Sequence, residues 1–164
     1  MCQIYTYDEI KEQYPTIFDN VPVDIVELCK KMNIDLIGVN KNDDFCGAIK
    51  YNPQTEKFSI YVNSTHSYGR QRFTIAHELA HYFQHNEMVR VLGVYDKTMN
   101  RNKGFQDNQE HEANRLASKI LMPSEALLKE IKIEDTKIDI EYLAKKYGVS
   151  EAAMGYRLTN LGVL

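Results

Sequence analysis

Arg72-Phe73-Thr74-Ile75-Ala76-His77-Glu78-Leu79-Ala80-His81 is the stretch on which the chain turns. It is an apolar, helix-forming run with H-E-x-x-H inside it. On a helix, residues four apart lie one turn apart on the same side, so His77 and His81 can face one metal ion. Glu78 sits beside them, where it can take a proton from a water that such an ion activates. The spacing therefore names two metal ligands and a base at once.

Two histidines do not complete a catalytic zinc site, which takes three protein ligands and keeps an open position. His85 lies one turn beyond His81. Three ligands on successive turns of one straight helix splay over about 10 Å, too far for one ion with bonds of about 2 Å. His85 is therefore expected to be a groove or surface residue. The third ligand is sought downstream, in Gln109-Glu110-His111-Glu112-Ala113-Asn114-Arg115-Leu116-Ala117-Ser118-Lys119-Ile120-Leu121-Met122-Pro123. With Glu110 at zero and about 100° per residue, Asn114 falls near 40°, Leu121 near 20°, Ala117 near 340° and Ala113 near 300°. Glu110 thus projects from the small-residue, buried side, where a lone carboxylate is costly unless paired or metal-bound. Glu112, near about 200°, faces the opposite way, toward solvent. Asn114 lies one turn after Glu110 and can accept the second ring N–H of a metal-bound histidine. Ala113 and Ala117 let the two helices approach closely.

Around these two helices the pattern is α+β. Thr6 to Tyr14 reads as a short helix stopped by Pro15, and Pro22 to Met32 as a second with Pro22 in its first turn. Strands are expected at Ile34–Val39, Ala48–Tyr51 and Lys57–Val62, the last two joined by a hairpin at Asn52–Glu56. That predicts a small antiparallel sheet of about three strands packed on the helical core. Arg70 to His85 is the motif helix. Asn86 to Gln109 has no clean period and reads as a lid or binding loop. Helices follow at 109–122, 124–131 with Ser124 as N-cap, 138–147, and 151–161 after a Gly148-Val149-Ser150 turn. No linker interrupts the 164 residues, so a single domain spanning 1–164 is expected, with the helices of 138–161 inside it.

Net charge is −3, which argues against non-specific nucleic-acid binding. No apolar run approaches the roughly 20 residues of a membrane span. The first nine residues lack the basic and apolar regions of a signal peptide, so a cytoplasmic location is expected. Cys2, Cys29 and Cys46 are spread apart with no C-x-x-C pair, which argues against a cysteine zinc knuckle. Cys29 reads as core, and Cys46 as packing beside Gly47.

The blocks Arg72 to Tyr82, Glu110-x-Glu112-Ala113-Asn114-Arg115-Leu116-Ala117 and Ile120-Leu121-Met122-Pro123 together resemble the ImmA/IrrE family of zinc metallo-endopeptidases. The tail Leu143 to Ser150 with Tyr156 to Gly162 is similar to that family's C-terminal helices. The likeness runs from about Pro22 to Gly162, three separated blocks in order; Leu116 stands where the family often has Phe. It implies a gluzincin-like peptidase with Zn(2+) on His77, His81 and Glu110 and Glu78 as general base. It also implies a protein substrate, since several members cut a helix-turn-helix repressor of a prophage, mobile element or stress-response system.

Oxyanion stabilisation calls for a cationic or hydroxyl donor. His66, Tyr68, Arg70 and His111 are the candidates, and the sequence does not choose among them. Phe58 to Val62 is a candidate edge strand for taking the substrate by strand addition. Two other functional classes stand beside peptide hydrolysis. One is a zinc-binding regulatory partner that holds a repressor without cutting it. The other is a DNA-binding module built on Ile140 to Leu161, with Lys145, Lys146 and Arg157 as its cations. No direct nucleic-acid contact and no membrane partner are expected.

Overall fold

A computed structural model of the chain describes residues 4–95, 105–131 and 138–164. Its first helix, α1 (Tyr7–Gln13), starts at a capping box. Thr6 accepts from the Glu9 N–H, and the Glu9 carboxylate accepts from the Thr6 N–H at 2.7 Å. A single 3-10 turn, Pro15–Ile17, follows. The next helix, α2 (Ile25–Lys31), is capped by Asp24, whose carboxylate accepts from the Glu27 N–H. Pro22 therefore precedes the helix and is not in its first turn, because Asp24 brings the side-chain acceptor that Pro22 and its neighbouring valines lack.

The strands are β1 (Asp35–Val39), β2 (Gly47–Asn52) and β3 (Lys57–Asn63), with a two-residue β4 (Val94–Tyr95) further on. The α+β class stands. The sheet is mixed, where a purely antiparallel one was expected, and its order is β1-β3-β2-β4. β2 and β3 form the expected hairpin, with Ile49 opposite Ile60. The Asn52 side chain closes its turn by accepting from the Gln54 N–H at 2.9 Å. β1 instead runs parallel to β3, with Leu36 opposite Ile60. The cause lies in the connection over residues 40–46, which crosses the end of β3. Buried Asn63 holds it there, its amide donating to the carbonyls of Lys41, Asn42 and Phe45 at 3.1, 3.0 and 3.0 Å. The chain thus places β1 on the far side of β3. β3 is paired on both edges, so Phe58 to Val62 is not an edge strand.

The motif helix, α3 (Tyr68–Leu92), outruns its expected end. It bends at His85, whose φ of −131° and ψ of 21° leave the helical range. β4 then pairs with β2 at Ile49 and Lys50. The second ligand helix, α4 (Phe105–Leu121), begins before Gln109. Much of the stretch expected to be irregular is therefore helical, and the remainder of that expectation, residues 96–104, lies outside the described residues. In α5 (Ser124–Glu130) the extended Pro123 is the cap and Ser124 is already helical, so the expected Ser124 cap is not formed. α6 (Ile140–Tyr147) and α7 (Glu151–Asn160) meet at the expected turn. Gly148 sits at φ 64°, and Ser150 accepts from the Ala153 N–H.

α3 is the central element. Ile75, Leu79 and Phe83 are buried with Ile49, Phe58, Ile60 and Val62 of the sheet and with Leu116, Ile120 and Leu121 of α4 in one core. Two buried arginines fasten the C-terminal helices to this body. Arg72 donates to the Gly148 and Val23 carbonyls, and Arg157 to the Met122 carbonyl. Cys29 is core, as expected, and Cys46 is exposed; Cys2 lies outside the described residues. Among the described residues no helix is long and apolar enough to cross a membrane.

Candidate metal centre

His77 and His81 project from one side of α3 toward α4, which presents Glu110. The two Nε2 atoms lie 3.0 Å apart. Glu110 places one carboxylate oxygen 3.3 Å from His77 Nε2 and the other 3.3 Å from His81 Nε2. One ligand atom from each of the three residues falls within a 4.8 Å cluster. Metal–nitrogen bonds of about 2.0–2.1 Å in a tetrahedron put neighbouring ligand atoms about 3.3 Å apart, so the spacing fits one zinc-sized cation. The charges fit as well. Burial pushes the fully enclosed His81 imidazole down to about 4, which keeps it neutral with a lone pair to give. Burial alone would raise the Glu110 carboxyl, but the adjacent His77 and His81 rings outweigh it and hold the group anionic, well below the usual carboxylate range.

The outward ring nitrogens are also engaged. His77 Nδ1 lies 3.0 Å from Asn114 Oδ1. An amide oxygen can only accept, so His77 Nδ1 carries the proton and its Nε2 lone pair points at the cluster. Glu78, on the next residue of the helix, is buried between α3 and β2. Gly47 of β2 makes that closeness possible. A Cβ there would lie 2.3 Å from Thr74 Cγ2 and 2.7 Å from the Tyr61 carbonyl, with Glu78 Oε1 at 3.7 Å.

Residues 29–159 match the family model described as the IrrE N-terminal-like domain, a metallopeptidase family. This chain belongs to that family. It is also similar to a protein of Bacillus subtilis (strain 168) named Metallopeptidase ImmA, with 28% identity over 165 residues covering 99% of this chain and 91% of the relative. A solved structure described as a Mycobacterium tuberculosis transcriptional regulator shares the fold. The TM-score is 0.65 at 18% identity, over 93% of this chain and 46% of that one. The chain thus spans less than half the length of that structure.

In this IrrE-like metallopeptidase domain the other expected site residues have contacts of their own. His66 is buried beside Asn63, with its Nε2 3.8 Å from Asp43. Arg70 donates to the Asp43 carbonyl and to Cys46 Sγ at 3.3 Å, pinning the residue before Gly47. Tyr68 is 65% exposed, with the Arg72 guanidinium 5.5 Å from its ring centre. His111 lies on the exposed side of α4. His85 lines a groove, as expected, and adds contacts that were not foreseen. It is not in the ligand cluster, as expected, yet its side chain is only 7% exposed. Its Nδ1 meets His81 Nδ1 at 3.0 Å, and its Nε2 meets Glu112 at 3.1 Å. The i, i+4 spacing of His81 and His85 was a visible signal for the first contact; the second depends on how α4 crosses α3. The cations of the DNA-binding alternative are mostly spent elsewhere. Arg157 is buried against the Met122 carbonyl and Lys146 binds Glu130 at 2.6 Å, leaving Lys145 exposed.

Proposed function

We propose that residues 1–164 form one zinc-dependent endopeptidase domain that cuts a helix-turn-helix transcriptional repressor in the cytoplasm. The observation that carries this is the convergence of His77 Nε2, His81 Nε2 and the Glu110 carboxylate beside a buried Glu78 on the same helix. Two imidazoles and a carboxylate are a borderline donor set that suits zinc. Bound there, zinc supplies Lewis-acid polarisation of the scissile carbonyl and a water acidic enough to deprotonate near neutral pH.

The chain's own residues do the rest. Asn114 holds the His77 ring with its Nε2 lone pair turned inward. Glu78 receives the water proton on its carboxylate and passes it to the leaving amine. β2 borders Glu78 through Gly47. The 46th carbonyl accepts from the Asn63 N–H on the β3 side. By strand alternation Gly47's own N–H and C=O therefore point away from β3. We place the docking of an extended substrate backbone on that outward edge of Gly47. Of the oxyanion candidates, Arg70 contacts Cys46, the residue before Gly47.

The repressor substrate follows from the family resemblance and is tested directly. The zinc-loaded chain is incubated with purified helix-turn-helix repressors from the genome that encodes it, and products are read by mass spectrometry. The parent is expected to give two defined fragments and Glu78→Gln to lose at least about 100-fold in rate, the scale of a lost general base. Cutting at the parental rate by Glu78→Gln contradicts the mechanism. Tight binding without cutting by either protein favours the non-cleaving regulatory partner.

A further inference from the structure

We propose that His85 and Glu112 are a positioning pair that fixes the proton and the orientation of His81 for metal binding. This rests on the reading of His77, His81 and Glu110 as a metal site. His81 is fully enclosed, and its Nε2 is directed at His77 and Glu110. For that Nε2 to offer a lone pair, Nδ1 must carry the ring proton. The acceptor 3.0 Å away is His85 Nδ1. His85 must then keep its own proton on Nε2, where Glu112 Oε2 accepts it at 3.1 Å. One condition at His81 Nε2 thus sets every proton out to Glu112. The chain of donors ends on an anion, which favours the donor direction throughout.

The arrangement also accounts for features that ligation alone leaves unused. The two ligand histidines have different outer partners: His77 has the neutral amide of Asn114, and His81 has an imidazole backed by a carboxylate. Asn114 and Glu112, the groups on which the two proton chains end, both come from α4, the helix that presents Glu110. α3 leaves helical geometry at His85, the residue that must turn toward Glu112. The competing role is passive. His85 and Glu112 also line a groove of 510 Å³ with Tyr7, Gln84, Asn108 and Arg115, and they would then only shape its wall.

Zinc affinity separates the two roles, measured by competition with a chromophoric chelator and paired with visible absorption of the Co(2+)-loaded chain. His85→Leu is expected to weaken zinc binding about 10-fold or more, the scale of a lost outer partner, and to alter the cobalt spectrum. His85→Gln is expected to restore both, because its amide can accept from His81 and donate to Glu112. Glu112→Ala is expected to weaken binding less, and to add nothing in a His85→Leu background. Glu112 is 61% exposed, so its variant tests the pair even where His85→Leu does not fold. Parental affinity and spectrum in Glu112→Ala overturn the pair and leave the metal site standing. Failure of the parent itself to bind zinc or cobalt overturns both.

Discussion

The convergence of His77 and His81 was legible because a helix converts four residues of spacing into one shared side, and that local rule survives folding. Glu110 and Asn114 were legible for the same reason, since a carboxylate and an amide one turn apart on a small-residue face have few other uses. Their distances now fix a prediction. Asn114→Ala removes the acceptor 3.0 Å from His77 Nδ1 and is expected to weaken zinc binding about 10-fold, while Asn114→Asp keeps it close to the parent. Isothermal titration with zinc checks the order of the three proteins. Gly47 was not legible as a functional position, because its constraint is a distance between elements. Gly47→Val drives a side chain into Thr74 and the Tyr61 carbonyl. A loss of about 1–3 kcal/mol in urea unfolding is expected, the range of overpacking. An unchanged midpoint would mean that β2 does not sit this close to α3.

At the scale of elements, the crossing of α3 and α4 decides whether the ligands meet. Ala113 and Ala117 are fully buried on α4. Ala117→Leu is expected to push the helices apart, destabilise by about 1–3 kcal/mol and lower zinc affinity with it. Loss of stability without loss of affinity would separate packing from ligand geometry. The same crossing explains why the contact between His85 and Glu112 was not foreseen: Glu112 faces solvent on its own wheel and is reached only because α3 passes it. The sheet was misjudged for a similar reason. Strand sequences show faces, but Asn63 pinning residues 41–45 is what places β1 parallel to β3.

The docking of α1 makes a separate, pH-dependent prediction. Lys11 and Tyr7 both donate to Glu125 at the start of α5. Burial alone would raise the Glu125 carboxyl, but Lys11, its own backbone N–H and Tyr7 bring it down from 4.5 to about 2. A depressed carboxylate contributes stability that is present above its unfolded value and lost as pH falls toward the folded one. Glu125→Gln is therefore expected to be less stable than the parent above about pH 4.5, by under about 1 kcal/mol because the pair is 40% exposed and screened. The difference should shrink between 4.5 and 2. A gap that grows on acidification contradicts the assignment.

For the whole molecule, the candidate site is a clamp between two helices that contribute to one core. His77 and His81 hold α3 and Glu110 holds α4, so a bound ion links the two and favours the folded state by mass action. At a free zinc concentration about 1,000 times the dissociation constant the gain is about 4 kcal/mol. In a domain of this size that corresponds to a rise of roughly 10 °C in Tm. The α+β class and the helix order could be seen in the sequence because periodicity and caps are local. The mixed sheet, the bend at His85 and the Gly47 contact with α3 could not, because each is set by elements distant in the chain.

The proposed function stands on His77, His81 and Glu110 together holding one metal ion. Equilibrium dialysis against zinc followed by elemental analysis tests it most directly, with the parent and the variants His77→Ala, His81→Ala and Glu110→Ala compared side by side. One tightly held zinc per parent chain, and none retained by any of the three folded variants, is the predicted result. Parental zinc content in Glu110→Ala would contradict it, because the ion would then be held without α4.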